Sequence, residues 1–291
     1  MDMIKERVFF SGPDLPPGLV LEGMLEWPRG LEATQQSENP EALGQARASE
    51  SAGAPERAGA PERAGAPERA SAAARTRAEA AGVVIAHPHP LHGATMEQIV
   101  VRRVAQCCQK RGLVTLRFNF RGVGQSGGRY SGVEEHHDVE AAISFLAEKL
   151  RSKTPFTGSP SGSSSEESAT LGLAGYSFGS VMAARAAASK ADHVRALALI
   201  AFPAFWEELP PDTLQRLSFY DGPILALCAE HDDIAPPEEV DKTLAKLGVS
   251  YRLEVITGVG HFLEGREHEV GEIVAGFLAH ALGVEEKRHS L

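Results

Sequence analysis

The chain has 291 residues, 43% of them apolar, enough for one large domain or two small ones. Its net charge of −10 leaves no basic surplus to neutralise phosphates, which argues against nucleic acid and against an anionic membrane surface as the main partner. The three cysteines, Cys107, Cys108 and Cys228, have no framework spacing and read as free thiols; with no apolar signal core in MDMIKERVFF and no apolar run long enough to span a bilayer, a cytoplasmic protein is expected.

In chain order, Arg7 to Ser11 and Leu19 to Trp27 read as two opening strands, joined as a hairpin. Residues 29–79 contain three tandem copies of Gly-Ala-Pro-Glu-Arg-Ala, from Gly53 to Ala70, and almost no large apolar side chains. Too little apolar surface is available there to offset ordering entropy, so a disordered insertion is expected. Gly82 to Ala86 (GVVIA) is a buried strand, and Met96 to Arg111 has helical spacing with Ile99, Val100, Val104 and Cys107 on one face. Leu113 to Phe120 is a strand and Val133 to Leu150 a helix, followed by a flexible Ser-rich loop over 152–170. Leu171 to Tyr176 is a strand leading into an Ala-rich helix that runs to Lys190. Val194 to Phe202 and Ile224 to Ala229 are strands, Pro237 to Leu247 a helix, Tyr251 to Ile256 a strand, and Glu267 to Leu282 a helix. Residues 1–28 and 80–284 thus form one domain, with 285–291 as a tail. Strands alternating with helices predict a mainly parallel eight-stranded sheet covered on both faces, in an α/β fold.

In such sheets function gathers at the carboxyl ends of the strands. Gly175-Tyr176-Ser177-Phe178-Gly179 stands there, after a strand and before a helix, in the context of a nucleophile elbow. The competing structural reading makes Ser177 a helix N-cap. A serine nucleophile needs a base, and the base an orienting carboxylate, in the chain order Ser, acid, His. Asp232 follows the strand ILALCA and is the expected acid, with Asp233 as the substitute; either could instead shape the turn. His261, in the Gly-rich turn after the next strand, is the expected base. It is the only histidine between the acid and the last helix.

HPHPLHGATM (His87 to Met96), RFNFRGVGQSGG (Arg117 to Gly128), GYSFG, AEHDD and GVGHF occur in an order that resembles the α/β-hydrolase superfamily, in particular its small, lid-poor dienelactone-hydrolase-like or serine-aminopeptidase-like members. The resemblance covers nearly the whole chain outside the two low-complexity segments. It implies a three-layer α/β-hydrolase fold and an oxyanion hole of two backbone N–H groups. One is expected from Phe178. The other belongs to the loop after GVVIA, where Pro88 and Pro90 lack an N–H, which leaves His89 first and Leu91 second. Where the family has His-Gly and Asp-x-Arg-Gly-x-Gly, this chain reads His87-Pro88 and Asn119-Phe120-Arg121-Gly122-Val123-Gly124.

The expected activity is cofactor-free serine hydrolysis of a small-molecule acyl substrate, an ester before a thioester or amide. Two rivals stay open: a non-catalytic binding protein on the same fold, and a metal-dependent hydrolase using His87, His89 and His92. Gly122, Gly124 and Gly127 match a phosphate-loop spacing, but no helix opens beside them and no P-loop lysine follows. Arg121 is therefore expected to make structural hydrogen bonds. Phe202, Phe205, Trp206 and Leu209 read equally as a short apolar flap or an amphipathic helix.

Overall fold

A computed structural model describes residues 4–28, 81–153, 169–206 and 209–284. The expected insertion at 29–79, nearly all of the Ser-rich loop and the tail lie outside these residues. Eight strands form one sheet: β1 (Ile4–Phe10), β2 (Leu21–Trp27), β3 (Gly82–Ala86), β4 (Val114–Phe118), β5 (Leu171–Tyr176), β6 (Val194–Ile200), β7 (Ile224–Ala229) and β8 (Tyr251–Ile256). Their spatial order is β1-β2-β4-β3-β5-β6-β7-β8. β2 pairs antiparallel with both neighbours, and every other pairing is parallel. The expected eight-stranded, mainly parallel sheet is present.

Helices α1 (Ile99–Lys110) and α6 (Glu267–Ala281) pack on each other, while α3 (Phe178–Ser189) packs on α2 (Glu135–Lys153) and α4 (Thr213–Leu217). The remaining helix, α5 (Pro237–Leu247), lies against β7 and β8. β3, β5 and β7 are buried along their whole length, as continuous apolar runs between helical layers must be. The buried face of α1 holds Val100, Val101, Val104, Cys107 and Cys108, and Ile99 is left largely exposed on its flank. α2 opens at Glu135 rather than Val133 because the Ser131 hydroxyl accepts the N–H groups of Val133 (3.2 Å) and Glu134 (2.8 Å). All three cysteines are buried and unbridged. Among the described residues no helix is long and apolar enough to cross a membrane.

The departure at Asn119 has a structural reason. Its Nδ2 donates to Glu22 Oε2 at 2.8 Å, and its Oδ1 accepts the Met96 N–H at 2.9 Å. Glu22 Oε2 also accepts from the Gln125 N–H, and both side chains are buried. A carboxylate at 119 would face the Glu22 carboxylate at hydrogen-bond distance, where two like charges cannot both stay ionised. Asn119→Asp should therefore lower stability at pH 7 by about 1–3 kcal/mol. The loss should shrink as the pH falls and one carboxyl takes up a proton; urea midpoints at pH 7 and pH 5 check this. Arg121 makes the structural bonds expected of it. Its Nε and Nη2 donate to Asp138 Oδ1 (2.9 and 2.7 Å), its backbone N–H to Asp138 Oδ2 (2.8 Å), and its Nη1 to Glu134 (2.8 Å).

Candidate active site

The turn from β5 into α3 is tight, and its residue types follow from that. A Cβ on Gly179 would come within 2.5 Å of the His87 carbonyl oxygen and 2.6 Å of that of Ala86. One on Gly175 would overlap the Gly179 carbonyl group. Only glycine fits at either position. Ser177 between them takes φ 52° and ψ −119°, a conformation that costs a non-glycine residue on the order of 1–3 kcal/mol. Its backbone is held by a bond from its N–H to the Ile200 carbonyl (2.8 Å) and one from the Ser180 N–H to its own carbonyl (2.8 Å).

Ser177 stands at the N-cap of α3, but its side chain caps nothing. Its Oγ lies 2.9 Å from His261 Nε2. The Nδ1 of His261 lies 2.9 Å from both carboxylate oxygens of Asp232. The histidine and aspartate come from the loops after β8 and β7, which the parallel register sets side by side. Asp232 is buried, and its Oδ1 also accepts the N–H groups of Ile234 (2.9 Å) and Ala235 (2.7 Å). One carboxylate thus both folds its own turn and holds the imidazole. Burial pushes its carboxyl up, but bonds from His261, Ala235 and Ile234 outweigh this and hold it below the usual range. Asp233 makes no hydrogen bond to His261 and is exposed on the cavity wall.

Two features of the His261 loop had no signal in the sequence beyond residue type. Tyr176, buried in the elbow, donates its hydroxyl to the His261 carbonyl at 2.9 Å. The His231 N–H donates to the Val259 carbonyl at 3.0 Å and ties the Asp232 and His261 loops together.

Above Ser177 opens a cavity of about 770 Å³, within the usual range for small-molecule sites. Its walls include Pro203, Phe205, Trp206, Ile234 and Phe262. Residues 201–206 after β6 are non-helical, with Phe205 and Trp206 on the cavity, which is the flap reading; among the described residues the next helix is α4. Within it Phe202 is fully buried, and Leu209 packs on the core rather than lining the cavity.

His89 and Phe178 both line the cavity, with their rings 5.0 Å apart. Phe178 is the first residue of α3, so the helix ladder leaves its N–H over. The alternative donor, the Leu91 N–H, is engaged by His89 Nδ1 at 3.2 Å. His89 Nε2 lies 3.0 Å from the Tyr130 hydroxyl. His87 is fully buried, with Nδ1 2.7 Å from the Pro88 carbonyl and Nε2 accepting the Phe120 N–H at 3.2 Å. Both its nitrogens are committed, and it does not join His89 and His92 in a ligand set.

Burial lowers the His87 pKa to about 4 from a usual 6.5. A depressed histidine gives stability that is complete above the unfolded value and is lost as the pH falls through the folded one. Between pH 6.5 and 4 the wild type should lose roughly 3 kcal/mol through this group. His87→Asn, which keeps a donor and an acceptor but cannot ionise, should lose correspondingly less. Equal losses in urea titrations at the two pH values would reject this.

The model of the alpha/beta hydrolase domain matches residues 79–282. An alpha-beta serine hydrolase homologue from Coxiella burnetii is 26% identical and superposes with a TM-score of 0.63, covering 94% of this chain and 97% of its own. A lidless serine hydrolase of the same fold from Xanthomonas campestris is 22% identical, with a TM-score of 0.59 over 96% of this chain and 94% of its own. A protein of uncharacterised function from Rickettsia prowazekii (strain Madrid E) is 25% identical over 217 residues, 70% of this chain and 80% of its own.

Proposed function

The chain belongs to the alpha/beta hydrolase family, and from that premise we propose that it is a serine hydrolase of carboxylic acid derivatives, esters first, working through an acyl-enzyme. One observation carries the reading: the hydroxyl of a strained elbow serine lies 2.9 Å from an imidazole whose other nitrogen lies 2.9 Å from a buried carboxylate. A binding protein has no need of that relay.

In this mechanism Ser177 Oγ attacks the carbonyl carbon of a small-molecule acyl substrate while His261 Nε2 takes the hydroxyl proton. Asp232 fixes the proton on His261 Nδ1 and stabilises the imidazolium that forms. The carbonyl oxygen becomes an oxyanion, bound by the backbone N–H groups of Phe178 and His89. As it collapses, the bond to the leaving alcohol breaks and His261 gives that alcohol its proton. Water, activated by the same imidazole, then attacks the acyl-enzyme and releases the acid and the free serine. No step calls for a cofactor. The metal-dependent reading is disfavoured because both ring nitrogens of His87 are already bonded. Three buried, unbridged thiols agree with a reducing, cytoplasmic setting.

A fluorophosphonate probe tests the proposal. It should label the protein once, on Ser177, as mapped by peptide mass spectrometry, and abolish turnover of p-nitrophenyl esters. Turnover that survives complete labelling would mean the chemistry resides elsewhere.

A further inference from the structure

The cavity over Ser177 combines aromatic walls with a single carboxylate. Phe205, Trp206 and Phe262 contribute ring surface, and the exposure of Phe205 (47%) and Phe262 (63%) sets these two at the mouth. Among the described residues Asp233 is the only acidic side chain in the lining. Among the described residues no lysine or arginine lines the cavity, and the basic groups in its lining are the imidazoles of His89, His92 and His261. Among the described residues Asp233 makes no hydrogen bond or ion pair, unlike its buried neighbour Asp232. Asp233 also follows Asp232 directly in the chain and shares the cavity lining with Ser177 and His261.

Such a wall discriminates by charge. An anionic group entering the cavity would meet Asp233 with no lysine or arginine of the described lining to compensate. A cationic group would gain the carboxylate, and aromatic faces attract alkylammonium ions through their quadrupole. Resting on the serine hydrolase reading above, we propose that the substrates are apolar esters bearing a cationic group, a quaternary or protonated amine, held at the cavity mouth by Asp233 and the aromatic residues around it. Asp233 is a specificity-determining residue here and takes no part in the proton relay.

The test uses two esters of matched shape. One is 2-(trimethylammonio)ethyl butyrate; the other is its neutral isostere 3,3-dimethylbutyl butyrate. Hydrolysis is followed by acid release at pH 8 and low ionic strength. The wild type should turn over the cationic ester with kcat/KM about tenfold higher. Asp233→Asn should erase most of that preference while leaving the neutral ester within twofold, and added salt should weaken the preference in the wild type only. Equal kcat/KM for the two esters, or a preference that survives in Asp233→Asn, would overturn the inference while the neutral ester still reports a working serine hydrolase. Turnover of neither ester, with no fluorophosphonate labelling, would overturn the hydrolase reading and this inference with it.

Discussion

Replacing Ser177 by alanine is expected to lower kcat for an activated ester by about 10⁴- to 10⁶-fold while the protein stays folded. The hydroxyl has one structural partner, His261 Nε2, and it does not cap the helix beneath it. The backbone bonds that hold the turn run from the Ser177 N–H and to the Ser177 carbonyl, and alanine keeps both. The strained φ of 52° is no worse for alanine than for serine. Thermal midpoint and near-ultraviolet dichroism should therefore match the wild type, and fluorophosphonate labelling should vanish. Activity near the wild-type value in a folded variant would mean that the relay geometry serves no catalysis.

The second large effect separates two adjacent aspartates. Asp232→Asn should cost about 10⁴-fold in kcat, while Asp233→Asn should leave a neutral ester within twofold. The reasoning starts from the carboxylate's two tasks. An asparagine at 232 keeps a carbonyl oxygen to accept the Ile234 and Ala235 N–H groups, so the turn survives. Its NH₂ then faces His261 Nδ1, which must accept rather than donate. The imidazole proton moves to Nε2, and the base can no longer take the serine proton. Asp232→Ala should lose activity as well, but also stability, because buried backbone N–H groups are left without partners, at about 1–3 kcal/mol. The stability difference between the two variants separates the structural role of Asp232 from its chemical one. Equal, small losses for Asp232→Asn and Asp233→Asn would place the acid elsewhere.

Much of this protein is determined by its sequence read alone. Continuous apolar runs such as GVVIA and ILALCA fit strands buried on both sides, and helices between them indicate parallel pairing. GYSFG is legible for the same local reason: two glycines flanking a serine between a strand and a helix satisfy contacts made within a few residues and with the next strand. The order of Ser177, Asp232 and His261 follows once each is seen to end a strand.

What the tertiary structure decided concerns direction and partnership. The sequence leaves Asp232 and Asp233 as neighbours; burial of one and exposure of the other depend on which way the loop after β7 turns beneath His261. Nothing local shows that Asp232 also folds that loop. Asn119 reads as a departure from a family pattern until it meets Glu22, a partner 97 residues away. Ile99 fits the apolar period of α1, yet neighbouring residues fill the interface first. The segment after β6 could be flap or helix by composition, and the structure shows residues 201–206 non-helical, with Pro203, Phe205 and Trp206 on the cavity. Tyr176 carries no mark of its bond to the His261 carbonyl, because that bond joins the end of β5 to a loop 85 residues further on. Pattern in the sequence reports what a residue and its near neighbours must do to fold. Which side chains meet across the carboxyl edge of the sheet is set by strand order and register, and only the assembled sheet contains that.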